Sequence, residues 1–266
     1  MPAPNRKYGR SSVDPINLQP TRFRRFARDY FGVQPICEAS TGYGDPAGTT
    51  GAVNVMLTPQ AIYEYVMLGG GQTILAPVWA AAGLGIGLDA TDDEGVEITN
   101  GITARSLAAF TVGTDRAFYF KTTLHMSDVS ICDTLYVGFR IVQAYQTAVA
   151  AAYTDYACLG INASATAAAI KIMYANDGAG TEVELDTTMT WADDAEKTFE
   201  VRIDESGYAS FLVNGAYPTV TTKPLVFSAD DSDVVIPFLF HLRGSTAANT
   251  ISLRLWEYGF LPRYAE

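Results

Sequence analysis

The chain has 266 residues, 48% of them hydrophobic and 18% charged, with a formal net charge of -11, so it is long enough to bury a core and falls in the globular class. No apolar run reaches the ~18 residues of a membrane helix, and the opening MPAPNRKYGRSS carries no hydrophobic signal region, which speaks against membrane insertion and signal-peptide secretion and for assembly in a cytoplasm. Three cysteines, Cys37, Cys132 and Cys158, are odd in number, far apart and never in a CxxC pair; they read as buried thiols rather than as a disulfide framework or a zinc ribbon.

Charge is divided unevenly. Residues 1–30 hold seven Lys/Arg against Asp14 and Asp29, a balance of +5, which leaves -16 for the rest of the chain. A basic segment ahead of an acidic body is expected to reach onto something negative, such as a neighbouring copy of that body.

The first twenty residues contain Pro2, Pro4, Pro15 and Pro20 among polar residues and read as an extended arm. In TRFRRFARDYFG, Thr21 to Gly32, the spacing of Phe23, Phe26, Ala27, Tyr30 and Phe31 predicts a helix over about 21–31, with Arg22, Arg25 and Arg28 on its other side. So short a helix needs a surface to dock on. The glycine- and threonine-rich stretch that follows reads as loop. A second helix is expected over about 58–68, with Thr58 as N-cap, Pro59 in the first turn, Ala61, Ile62, Tyr65 and Val66 as its apolar face, and Gly69-Gly70-Gly71 as its stop.

Beyond Gln72 the texture changes to short β-branched and aromatic runs separated by turn residues, so the expected organisation is an anchoring segment over 1–72 and a β-sandwich over 73–266. Strands are expected at 74–79, 95–99, 116–126, 134–145, 155–162, 169–175, 181–186, 198–204, 208–215, 234–243 and 250–262, too many for one small sheet. The stretch KTFEVRIDESGYASFLVNGAYP predicts a hairpin: Phe199, Val201 and Ile203 alternate with Glu200, Arg202 and Asp204, and Glu205-Ser206-Gly207 makes the turn. Asn176-Asp177-Gly178 predicts another turn, between Tyr174 and Thr181.

TFEVRIDESGYASFLVNG, together with AFYFKTTLHM and TISLRLWEYGF, resembles the concanavalin A-like (laminin-G-like) jelly-roll superfamily. TDDEGVEITNG followed by FYFKTTLHMSD is similar to jelly-roll structural proteins of tailed-bacteriophage virions. The fold class implied is all-β, an antiparallel two-sheet jelly-roll sandwich preceded by the arm and two short helices. The function implied is non-enzymatic: a capsid decoration or cement protein in the virion, assembled in the host cytoplasm. Its partners would be the major capsid protein and neighbouring copies of itself, in a self-association such as a homotrimer. The anchoring residues would be Arg22, Phe23, Arg25, Phe26, Arg28, Tyr30 and Phe31, rings in an apolar groove and arginines at an acidic rim. Nucleic acid is not expected as a partner, because the acidic body repels a polyanion. The alternative is a carbohydrate-binding, lectin-like module or receptor-binding head that takes surface glycans, since jelly rolls serve both purposes.

Catalytic motifs are sparse. Only His125 and His241 are present, each within an expected strand, and no HExxH, GxSxG or phosphate-binding loop occurs; GLGIGLD, 83–89, lacks the third glycine of a dinucleotide fingerprint. Glu182, Glu184 and Asp186 fall on one face of a strand and are the nearest approach to a glycosidase carboxylate set, although an outward polar face explains them as well. No cofactor is expected. Calcium has weak candidates in Asp89, Asp92 and Asp93 beside Glu94, and in Asp230, Asp231 and Asp233. Trp79, Trp191 and Trp256 are candidates either for a sugar platform or for the core.

Overall fold

The structure is a computed structural model that describes residues 27–29, 36–37, 53–57, 62–68, 78–80, 83–86, 95–100, 109–144, 146, 152–162, 168–176, 182–220, 222–243 and 251–262. Two antiparallel sheets stack as a sandwich of jelly-roll type. The strands in chain order are β1 (Ala27–Asp29), β2 (Ile36–Cys37), β3 (Val53–Leu57), β4 (Ile62–Leu68), β5 (Val78–Ala80), β6 (Gly83–Ile86), β7 (Gly95–Thr99), β8 (Phe110–Thr111) and β9 (Phe118–Met126). They continue with β10 (Cys132–Ile141), β11 (Tyr156–Asn162), β12 (Ala169–Ala175), β13 (Val183–Thr190), β14 (Ala195–Ile203), β15 (Ala209–Val213), β16 (Val234–Arg243) and β17 (Ile251–Phe260). No α-helix occurs among the described residues.

The smaller sheet runs β15-β14-β9-β17-β6-β5, and the larger runs β13-β12-β11-β10-β16-β7-β4-β3-β2, with β8 on β16. Alternation explains the layering. On β9 the buried Phe118, Phe120, Leu124 and Met126 share one face, and on β10 Leu135, Val137 and Phe139 do the same, so the two sheets close on one apolar layer. Aromatic rings join them: Phe118 of the smaller sheet stacks on Phe110 of the larger at 4.4 Å and meets Phe139 edge-on at 5.1 Å. Trp256 meets Tyr63 edge-on at 5.5 Å, and its indole N–H donates to Asn100 at 2.5 Å.

Where residues of the two helices expected in the first part of the chain are described, they form strands instead. Ile62–Leu68 pairs with β3 on one side and β7 on the other. Its Tyr63 and Tyr65 belong to the central core while Leu68 joins a second apolar cluster on the opposite face of the sheet. A strand apolar on both faces loses its period of two, and Ala61, Ile62, Tyr65 and Val66 then mimic a helical stripe; β-branched and aromatic content was the better guide. Ala27–Asp29, at the centre of the other expected helix, pairs with β17 in the register Ala27↔Tyr258, Arg28↔Glu257, Asp29↔Trp256. A vacant stretch of strand edge offers its backbone immediate partners, whereas a lone short helix must first form a costly nucleus. β6 holds Ile251 to Leu253 on the same edge of β17, so two short strands share that edge end to end. The proline-rich arm over 1–20 lies outside the described residues.

The hairpin at the sandwich margin forms as its sequence predicts. β14 and β15 pair from Phe199↔Val213 to Ile203↔Ala209, and the Asp204 carboxylate accepts from the backbone N–H groups of Ser206 at 2.9 Å and Tyr208 at 3.0 Å. Gly207, at φ +91°, lies where a Cβ would stand 1.9 Å from the Phe227 carbonyl oxygen, so no other residue fits.

Candidate functional site

Among the described residues, two regions of sheet surface concentrate polar side chains. One is the face of the larger sheet turned away from the central core. There β7 presents Glu97 and β10 presents Arg140, only 1% and 2% exposed, and Arg140 Nε donates to Glu97 at 2.8 Å across the intervening β16. The guanidinium also donates to the carbonyls of Ile141 at 3.0 Å and Gln143 at 3.2 Å, and it lies 4.4 Å over the Tyr153 ring. The Tyr153 hydroxyl donates to the second oxygen of Glu97 and accepts from the backbone N–H of Gln146 at 2.9 Å. Burial, reinforced by the Glu97 charge, holds that hydroxyl well above the ordinary tyrosine range and hence protonated.

Further along the same face, the rings of Tyr136 and Tyr156 stack at 5.9 Å and both hydroxyls donate to Glu182 Oε2, the Tyr136 bond at 2.7 Å. Gly138 and Gly160 lie on the same paired strands, β10 and β11, with Gly160 opposite Tyr136. A Cβ there would stand 2.0 Å from the Ala157 carbonyl oxygen and 1.6 Å from that of Leu135, closer than any side chain allows. Asn162 Nδ2 donates to Glu182 at 3.2 Å and to Glu184 at 3.0 Å, and Lys171 closes the set by pairing with Glu184. Glu64, on β4 directly across from Thr99, differs from these carboxylates: its Oε2 has no hydrogen-bond partner among the described residues, and burial pushes its carboxyl up to about 7.

This geometry decides among the sequence candidates. Glu182 and Glu184 do come together, but all four of their oxygens already accept hydrogen bonds from Tyr136, Tyr156, Asn162 and Lys171. Asp186 is drawn away to cap the backbone N–H of Thr188 at 2.7 Å. These are the contacts of a braced surface, not of a free acid and a free nucleophile facing a sugar. Trp191 and Trp256 lie in the core with ring N–H groups bonded inside, which removes them as a platform; of Trp79 only its backbone place in β5 is described. His241 is buried with Nδ1 3.2 Å from the Thr134 carbonyl oxygen and 3.6 Å from Cys132 Sγ.

The second region lies at the free end of the smaller sheet, around β14 and β15. Asn214 and Gly215 both take positive φ, +52° and +77°, and Val213 and Ala216 exchange backbone hydrogen bonds across them, a type I′ turn. The turn is tied down where Thr198 N–H donates to Asn214 Oδ1 at 2.9 Å. It delivers Tyr217, followed by Pro218, onto the surface with 60% of its area exposed.

That ring lines a groove of about 440 Å³ that includes Arg202, Asp204, Glu205, Ser210 and Lys223. It also lines a second cleft of about 260 Å³ whose lining includes Phe211, Pro218 and Val220. Strand alternation puts Arg202 here: it faces outward with Glu200, whose carboxylate holds its Nε at 2.6 Å, and it stands opposite Ser210. Nη1 reaches toward the Tyr217 hydroxyl at 3.4 Å. No expectation from the sequence named Tyr217. Its signal was an aromatic residue set between a hairpin turn and a proline, where the chain must run over the surface.

The remaining sequence candidates fall outside this geometry. Arg22, Phe23, Arg25, Phe26, Tyr30 and Phe31 lie outside the described residues, and Arg28 is described only as a position of β1 opposite Glu257. Asp89, Asp92, Asp93 and Glu94 also lie outside them. Asp233 spends one oxygen on the backbone N–H of Ser228 at 2.6 Å, and no group of three or more His, Cys, Asp or Glu that could hold a metal ion occurs among the described residues.

No protein-family model matches the chain, and no curated protein is similar to it. Among solved structures it is similar to a legume lectin-like domain from Entamoeba histolytica, at a TM-score of 0.49 and 11% identity over 74% of this chain and 90% of that one. It is similar also to the Emp47p carbohydrate recognition domain, at 0.47 and 10% identity over 89% and 95% of the two chains. An alginate lyase from Pseudomonas aeruginosa matches at 0.45 and 10% identity over 90% and 99%. All three are sandwiches of the concanavalin A-like kind. At such identities and scores the likeness carries no inference about ligand or activity.

Proposed function

We propose that the chain is a carbohydrate-binding module whose site is the groove at Tyr217. One observation carries the reading: a tyrosine ring with 60% of its area in water stands as a wall beside hydrogen-bonding side chains of both kinds, Arg202 and Lys223 as donors, Asp204 and Glu205 as acceptors. Sugars ask for this combination, since the C–H face of a pyranose packs on an aromatic ring while its hydroxyls need donors and acceptors at the rim. The test is a glycan array probed with the full chain and with Tyr217→Ala. Saturable binding that the substitution abolishes is expected; an array silent for the unaltered chain would sink the reading.

A second reading, the virion decoration protein of the resemblance, draws on one observation. The register that sets Arg28 opposite Glu257 joins the basic segment to a carboxylate-bearing strand of its own chain, an edge that a neighbouring copy would also present. Its test is deletion of residues 1–32 followed by capsid binding and capsid heat resistance, with unchanged occupancy counting against it.

A further inference from the structure

We infer that the ligand of the Tyr217 groove is a neutral oligosaccharide long enough to occupy both spaces that meet at that ring, not a single terminal sugar and not an acidic one. The inference rests on the carbohydrate-binding reading and narrows it. The 440 Å³ groove and the 260 Å³ cleft share Ser210, Tyr217 and Lys223, so the two spaces adjoin at the tyrosine. A ligand confined to one space would leave the other unfilled; a chain of several rings can occupy both. The two spaces also differ in kind. Pro218 and Val220 give the smaller cleft an apolar lining suited to a C–H face, whereas Arg202, Asp204 and Glu205 give the larger groove the partners that hydroxyls need.

Arg202 and Lys223 are balanced in the groove by Asp204 and Glu205, and the Arg202 guanidinium is already held by Glu200. That leaves Lys223 as the one cation of the groove without an ion pair among the described residues. A uronate or other acidic sugar would meet no net positive field there, and it would approach a chain whose overall charge is -11. A neutral ligand loses nothing by either.

Isothermal titration of the full chain separates the outcomes, using ladders of one to six rings from neutral gluco-, manno- and xylo-oligosaccharides beside a galacturonate ladder at physiological salt. In at least one neutral ladder, affinity should rise about tenfold or more between one ring and three, then level off. The same contrast should vanish in Tyr217→Ala, with Tyr217→Phe retaining most of it. Preference for galacturonates, or a monosaccharide bound as tightly as a trimer, would overturn this inference while leaving the carbohydrate-binding reading in place. Failure of every ladder, acidic and neutral, would overturn both.

Discussion

On the outer face of the larger sheet Arg140 and Tyr153 bond to Glu97, and Tyr136 and Tyr156 bond to Glu182, whereas at the end of the smaller sheet Tyr217, Lys223 and Glu205 stand in water. Both regions are rich in aromatic and charged residues, so composition does not separate them. What separates them is where the hydrogen-bonding capacity goes. In the first, carboxylates and hydroxyls are consumed within the sheet, and burial makes each bond expensive to lose. In the second, capacity remains for a partner, at little cost to the fold. A list of titratable residues would have favoured the larger sheet as the working site; the accounting of donors and acceptors favours the smaller one.

Substitutions can break this contrast. The largest effect is expected for Arg140→Met, which strands the Glu97 charge in the interior and should cost about 3–5 kcal/mol, read as a fall in the urea midpoint. Pairing it with Glu97→Leu should recover most of the loss, because what is costly is the unpaired charge and not the absence of the pair. Next comes Glu182→Ala, which takes the shared acceptor from the Tyr136 and Tyr156 hydroxyls and should cost about 1–3 kcal/mol. A change within error in either case would mean that the face is looser and wetter than its geometry indicates.

Glu64 gives a smaller effect with a distinct pH signature. Its carboxyl is raised from 4.5 to about 7 by burial, so folding favours the protonated form. Stability from this group is complete below about 4.5 and is lost as pH rises through about 7. Discounted for the group's partial exposure, the loss should be of order 1 kcal/mol. Urea titrations at pH 4.5 and pH 8 should show it, and Glu64→Gln should remove that part of the difference. The smallest effect on stability belongs to Tyr217→Ala, expected within about 0.5 kcal/mol of the unaltered chain while glycan binding disappears. A loss several times larger would mark Tyr217 as a packing residue and dissolve the contrast between the two regions.

Strands with one wet face, such as β9, were legible from alternation, as was the Phe199–Val213 hairpin with its Asp204–Gly207 turn. The run at 234–243 is buried on both faces and was readable from its length and its β-branched and aromatic content instead. β4 was not, because Tyr63 and Leu68 are buried on opposite faces and the period disappears. β1 was not either, since three residues carry no pattern and the pairing depends on an edge more than two hundred positions away in sequence. The polar sites divided in the same manner. The meeting of Glu182 with Glu184 followed from a period of two, while the Glu97–Arg140 pair needs the order of strands β10, β16 and β7, which only the folded chain supplies. Tyr217 lay in plain view beside its turn, but exposure is a property of the assembled surface.

β6 and β1 divide one edge of β17 between them, at Ile251 to Leu253 and at Trp256 to Tyr258. The β6 share is closed by a tight β5–β6 hairpin, whereas the other share, equally long, depends on the basic segment near the start of the chain. Lift that segment away and the backbone groups of Trp256 to Tyr258 are left as an open template, ready to template the next molecule's strand. The same three residues that complete one sandwich therefore guard against sheet-to-sheet growth, and trimming the chain before Ala27–Asp29 and through it should be felt first as a loss of solubility.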